Sequence, residues 1–164
     1  MTGIVVILTA AVTYSVWASH NGSSPCPLCI FQRMLFMLIV ALAVLGLVLP
    51  RVASMAITTG ISAVSMGGFA VAAYQSWMQE FPGSLPTCGY ADPTLIERIV
   101  DWAGMQSPYF FLATGYCEQK DIAFLGTSWA QLAAMAFLTV SLIGAWLAWL
   151  PFRDASPAHP VTQK

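Results

Sequence analysis

The sequence predicts an all-α membrane protein, a bundle of four transmembrane helices with one short amphipathic surface helix in its second extracytoplasmic loop. Three observations predict it. Of 164 residues, 58% are hydrophobic and only 8% charged, with a mean hydropathy of +0.73, whereas an ordinary soluble domain carries about a quarter charged residues. The apolar residues gather in four long runs that contain a single charge between them, Arg33. One connection only, residues 78–128, is long and polar, and it holds six of the seven acidic residues.

Taken in order, the runs are residues 3–19, 30–49, 52–77 and 129–150. At about 1.5 Å rise per residue, roughly 20 residues cross the ~30 Å hydrocarbon layer, so each run can span, the first only just. Val16, Trp17 and Ala18 satisfy the small-residue rule for signal cleavage, but no Lys or Arg precedes them, so a retained helix is expected. Leu49, Pro50 and Arg51 form a tight turn between the second and third runs. Pro151 ends the fourth before a polar tail, residues 151–164, with Arg153 and Lys164. Trp17, Phe31, Trp77, Phe81, Trp129, Trp146 and Trp149 sit near the run ends, where amphipathic rings favour the headgroup layer. The tail and the turn at Arg51 are expected on the cytoplasmic side, and the loops 20–29 and 78–128 outside. Arg98 and Lys120 in the long loop make this charge signal thin. Within that loop Asp92 is expected to cap a helix with Pro93 at its first position. Leu95, Ile96, Ile99, Val100 and Ala103 then share one side before Gly104, a pattern for a helix lying on the membrane surface. Gly68 and Ala72 form a small-xxx-small pair, read as helix packing. The whole chain, 1–164, reads as one membrane domain.

A net charge of −1 and a pI near 6.0 supply no basic stripe for a phosphate backbone, which excludes nucleic acid as an expected partner. The chemistry lies with four cysteines: Cys26 and Cys29, in Pro25-Cys26-Pro27-Leu28-Cys29, and Cys88 and Cys117. The first and third connections of a four-span protein lie on the same side whichever way the chain inserts, so all four thiols share one compartment. A C-x-x-C pair interconverts between dithiol and disulfide without large chain motion, which suits redox cycling. Zinc would want two closely spaced pairs, but Cys88 and Cys117 are 29 positions apart with no His nearby to complete a set, so no metal site is expected. A structural staple stays open for the distant pair. Cys29 falls at the start of the second run, where free backbone N–H groups and the helix dipole favour a thiolate. Arg33, four residues on, shares its helix face and can stabilise a thiolate or negative charge developing on an electron acceptor; the alternative is that it snorkels to lipid phosphate. Two electrons leaving a dithiol at the lipid border need an acceptor, and lipid points to a quinone. His20 and His159 are isolated, and the cysteines lack haem or iron–sulfur spacing.

With Cys26-Pro27-Leu28-Cys29-Ile30-Phe31-Gln32-Arg33, Phe81-Pro82 before Cys88, and Cys117 followed by Phe124-Leu125-Gly126, the chain resembles the disulfide bond formation protein B (DsbB) family over nearly its whole length. The resemblance implies a quinone-dependent thiol oxidase of the bacterial inner membrane, with its cysteines facing the periplasm and its electrons passing to the respiratory chain. It implies two redox disulfides, Cys26/Cys29 and Cys88/Cys117. Cys88 would form the mixed disulfide with a soluble, thioredoxin-fold oxidase similar to DsbA, and Cys117 would exchange with Cys26. Cys29, left as thiolate, would pass electrons to ubiquinone or menaquinone near Arg33. The chain departs from the family in one place: Gln75 stands 13 positions before the first loop cysteine, where family members carry His. A protein similar to vitamin K epoxide reductase shares these parts in the opposite order, with its loop pair before a late C-x-x-C. A non-catalytic membrane assembly protein with structural disulfides is the alternative from another class.

Overall fold

In the computed structural model, residues 2–21, 24–82, 93–117, 122–124 and 126–154 are described. The element order is α1 (Thr2–His20), α2 (Pro27–Val48), α3 (Arg51–Glu80), α4 (Leu95–Gln106), α5 (Pro108–Phe111), β1 (Ile122–Phe124), β2 (Thr127–Ser128) and α6 (Trp129–Asp154). Three helical stretches, Pro27–Val48, Ala53–Glu80 and Trp129–Trp149, are long and apolar enough to cross a membrane, and a shorter apolar helix runs over Val5–His20. Their outer faces carry large apolar side chains that water would not tolerate in such number. Ile7, Trp17, Leu47, Val48, Trp77, Leu142, Trp146 and Trp149 are all more than half exposed. The protein is a helical membrane protein.

Proline sets the starts of two of the long helices. Pro27 is the first residue of α2, where its missing N–H is one the helix would leave unbonded, and Pro50 caps α3 directly after Leu49 caps α2. The reversal predicted at Leu49-Pro50-Arg51 is therefore two caps back to back. α3 packs most extensively on α6 and then on α2, while α1 lies against α2. The core between them is Leu8, Ile39, Ala43, Ile61, Ala72, Phe137 and Val140. Phe36 and Phe137 stack at 4.0 Å within it. Gly68 faces the Phe137 ring so closely that an added Cβ would lie 2.5 Å from it, and Ala72 is fully buried, as the packing reading expects. Ser62 and Ser141 exchange bonds across the same interface: the Ser62 hydroxyl donates to the Ser141 carbonyl at 2.8 Å, and the Ser141 hydroxyl donates back at 3.3 Å.

The long connection departs from expectation at four points. The cap of α4 is Thr94, not Asp92, which lies outside the described residues. The Thr94 hydroxyl accepts from the Glu97 N–H, and the Glu97 carboxylate accepts from the Thr94 N–H, a reciprocal capping box that leaves Pro93 ahead of the helix. The buried side of α4 is Glu97, Val100, Ala103 and Gly104; Ile96 and Ile99 are half-buried and Leu95 is 74% exposed. The helix also continues past Gly104 to Gln106. Finally, β1 and β2 pair antiparallel through a turn at Gly126, whose φ of 81° is a left-handed conformation that glycine adopts at little cost.

Candidate functional site

The site is built on the first turn of α2. Cys26 is the N-cap, its sulfur accepting from the Cys29 N–H at 3.4 Å, and Pro27 follows at the first helical position. The helix starts three residues earlier than the expected start at residue 30, so Pro27 to Cys29 are helical rather than loop. This brings the two sulfurs onto one helix end, 3.1 Å apart, both as thiols. From α3, the Gln75 amide nitrogen donates to both, at 3.2 Å to Cys26 Sγ and 2.9 Å to Cys29 Sγ. The Gln75 carbonyl oxygen in turn accepts from Gln32 Nε2 at 2.8 Å. Gln75 is fully buried and Gln32 nearly so.

Cys117 arrives from the long connection and is buried in the same cluster, with Cys26, Leu28 and Met78. Its approach is fixed by main chain. The Thr114 and Gly115 N–H groups both donate to the Pro25 carbonyl, at 2.9 and 3.1 Å. The two segments lie so close that a Cβ on Gly115 would fall 2.0 Å from the Ser24 carbonyl oxygen. The Cys26 thiol is pushed up to about 12, above all by its hydrogen bond with the Cys117 thiol and further by burial, while the contact with Cys29 works the other way. Cys26 is therefore kept protonated when all three are reduced, a sulfur held for exchange rather than a free nucleophile.

Arg33 is 6% exposed, so it does not snorkel. Its Nε donates to the Ser15 hydroxyl at 2.9 Å, Nη2 to the Ser15 carbonyl at 3.0 Å and the Ser19 hydroxyl at 2.6 Å, and Nη1 to the Phe110 carbonyl at 2.8 Å. The guanidinium thus ties α2 to α1 and to α5. His20 adds a second tie, its Nε2 3.1 Å from the Tyr109 carbonyl and its ring stacked on Tyr109 at 4.1 Å. Four of the five N–H groups of the Arg33 side chain are used in this way, leaving one Nη1 hydrogen among the described residues.

Cys26, Cys29, Gln32, Arg33 and Gln75 all line a cavity of about 480 Å³, walled otherwise by α1 (Ala11, Val12, Ala18), Phe36 and α6 (Leu132, Ala133, Ala136). Tyr14 and Trp129 bridge α1 to α6 at its edge, with ring centroids 5.7 Å apart. The volume suits one ring-sized apolar ligand, and the polar groups converge at the sulfur end.

Three of the four expected cysteines are thus brought together with Arg33, and Cys88 lies outside the described residues. Sequence reasoning marked Gln75 only as a departure from a family pattern and gave Gln32 no role. A buried amide pair has no spacing signature when its members are 43 positions apart. The partners of Arg33 on α1 and α5 were equally invisible.

The chain is also similar in sequence to known proteins. Residues 1–147 match the family described as Disulfide bond formation protein DsbB. A disulfide bond formation protein B of Dechloromonas aromatica (strain RCB) is 48% identical over 116 residues, 70% of this chain and 68% of the relative. One of Azoarcus sp. (strain BH72) is 33% identical over 141 residues, 84% of each, and one of Paracidovorax citrulli (strain AAC00-1) is 31% identical over 137 residues, 82% of this chain and 77% of the relative. A helical membrane protein whose C-x-x-C pair caps its second helix beside a third buried cysteine, and whose sequence matches along most of its length, belongs to the disulfide bond formation protein DsbB family.

Proposed function

We propose that the protein is a quinone-dependent thiol oxidase of the bacterial inner membrane, with four spans and its cysteines on the periplasmic side, that reoxidises a soluble thioredoxin-fold oxidase similar to DsbA. The observation that carries this reading is the thiol of Cys117 hydrogen-bonded to Cys26, itself 3.1 Å from Cys29, at the polar end of an apolar cavity. A structural staple would have no use for a third sulfur held beside a C-x-x-C pair, nor for a ligand-sized cavity reaching it.

The relay balances sulfur by sulfur. A thiolate of the reduced soluble partner attacks Cys88 of a Cys88–Cys117 disulfide, forming a mixed disulfide and releasing Cys117 as thiolate. The partner's second thiol then resolves the mixed disulfide, freeing the partner oxidised. Cys117 attacks Cys26 of a Cys26–Cys29 disulfide; the Cys117–Cys26 bond forms, and the electron pair of the broken bond leaves on Cys29. Gln75 receives that charge with an N–H already aimed at the sulfur. A quinone bound in the cavity would accept two electrons and two protons, and ubiquinone and menaquinone both fit this chemistry. Arg33, through its remaining Nη1 hydrogen and its fixed charge, and Gln75, beside Cys29, are the residues that would hold its polar ring; Phe36, Leu132 and Ala136 would cover the apolar part. The Cys88 thiolate left by the partner attacks Cys117 of the Cys117–Cys26 disulfide, which re-forms Cys88–Cys117 and releases Cys26 as thiolate, and the Cys26/Cys29 dithiol would then close its disulfide by giving up two electrons and two protons to the quinone.

The test is oxidation of candidate thioredoxin-fold dithiol proteins by the purified protein with and without added quinone. Oxidation that needs quinone and Cys29 is expected. Quinone-independent oxidation, or none with any thioredoxin-fold dithiol, would overturn the proposal.

A further inference from the structure

The Gln75 side chain does more than fill the place between α2 and α3. Its amide nitrogen is the donor to both sulfurs, and its carbonyl oxygen is taken by Gln32 Nε2. An amide has two orientations that differ only by exchanging N–H and C=O, and they are opposite in their effect on a thiolate: one presents donors, the other a lone pair. Gln32 decides between them. Because Gln32 presents N–H to Gln75, the orientation with the Gln75 nitrogen toward the sulfurs satisfies both side chains, whereas the reverse would set N–H against N–H.

From this arrangement we infer that Gln75 is a catalytic residue of the exchange step, the donor that makes Cys29 the leaving sulfur, and that Gln32 is a positioning residue that locks the Gln75 amide in its donating orientation. The inference deepens the thiol-relay reading and rests on it. When the Cys26–Cys29 bond breaks in favour of Cys117–Cys26, the electron pair must settle on a sulfur inside an apolar bundle. Arg33 has four of its N–H groups committed to Ser15, Ser19 and Phe110. Gln75 already donates to the Cys29 sulfur at 2.9 Å, and it needs no movement to act. A donor in place before the charge appears is worth more than one that must be recruited.

A full-length protein in which Cys26, Cys88 and Cys117 are replaced by Ala keeps Cys29 as its only cysteine, and its alkylation by iodoacetamide is followed from pH 6 to 10 without quinone or soluble partner. The other titratable or charged groups lining the cavity, Tyr14, Arg33 and Tyr116, are common to every variant. Gln75→Leu is expected to slow alkylation at pH 8 about tenfold and move the profile up by about one pH unit, the effect of one hydrogen bond to a charged group. Gln32→Met, similar in size but with no donor, is expected to move it in the same direction by about half as much. Added to Gln75→Leu, it should move it no further, because an orienting residue has nothing left to orient. An unchanged profile in Gln75→Leu overturns the donor role. If that variant does not fold, Gln32→Met decides alone, and an unchanged profile there overturns the inference. Equal effects of Gln32→Met with and without Gln75 overturn the locking role. The assay contains no electron acceptor or partner, so a protein that fails to oxidise any dithiol in the presence of quinone, yet shows these shifts, refutes the relay and not the donor.

Discussion

Replacing Gly115 by Ala should uncouple Cys117 from Cys26 while leaving the C-x-x-C pair intact. The added Cβ would fall 2.0 Å from the Ser24 carbonyl oxygen and 2.8 Å from its carbon. Both are backbone atoms, so no side chain can swing aside, and reaching ordinary contact requires about 1 Å or more of separation. The two bonds to the Pro25 carbonyl, at 2.9 and 3.1 Å, cannot survive a movement of that size intact. At about 0.5–1.5 kcal/mol net each, their loss removes about 1–3 kcal/mol of docking, or roughly a five- to 150-fold weaker association of the two segments. The assay uses protein with Cys29→Ala and Cys88→Ala, which leaves Cys26 and Cys117 to form one disulfide in glutathione buffers of set potential. Gel-shift counting of free thiols gives the effective concentration of one sulfur at the other, expected to fall at least fivefold in Gly115→Ala. A change of less than twofold would refute the idea that this main-chain contact delivers Cys117.

Three further outcomes are expected. Arg33→Ala should slow quinone reduction by about an order of magnitude or more, with partial rescue by Lys, and should also lower the melting temperature because its ties to Ser15, Ser19 and Phe110 go with it; equal turnover of both proteins at limiting quinone would remove the proposed role. Reporter fusions after Pro50 and Lys164 should read cytoplasmic and those near Ser23 and Asp101 periplasmic, and a split within either set would refute four spans. In fully reduced protein, Cys26 is held protonated far above neutral pH chiefly by Cys117, so Cys117→Ala should lower that value and speed alkylation of Cys26 at pH 8.5, read by peptide mass spectrometry; an unchanged rate would contradict the contact.

The helices could be read from the sequence because lipid imposes a composition rule that extends over many residues: residues 30–49 and 129–150 fall within α2 and α6 to within a few positions. The pair Cys26/Cys29 and Arg33 were legible for a local reason, since three- and four-residue spacings fix faces on a helix. The errors were also local. Thr94-x-x-Glu97 is a capping box written in plain order, but the Asp-Pro pair before it drew the helix start two residues early. Glu97 then lies on the buried side because its carboxylate closes the box. What sequence could not give is whatever depends on how the spans meet: Gln32 against Gln75, Ser15 and Ser19 against Arg33, and Gly115 against Ser24. Each joins residues far apart in sequence, and none is distinctive in composition.

The sulfur of Cys26 is also the cap of α2. Where most helices begin on an oxygen that stays chemically constant, this one begins on an atom that would change partners in the proposed relay. The Cys29 amide proton, which ends on that sulfur, is bonded here to a thiol and in the proposed relay would be bonded to a disulfide sulfur at another stage. In that relay the backbone would sense the oxidation state of the site without any moving domain, and the Cys29 amide resonance would be a built-in gauge of which sulfur Cys26 is joined to.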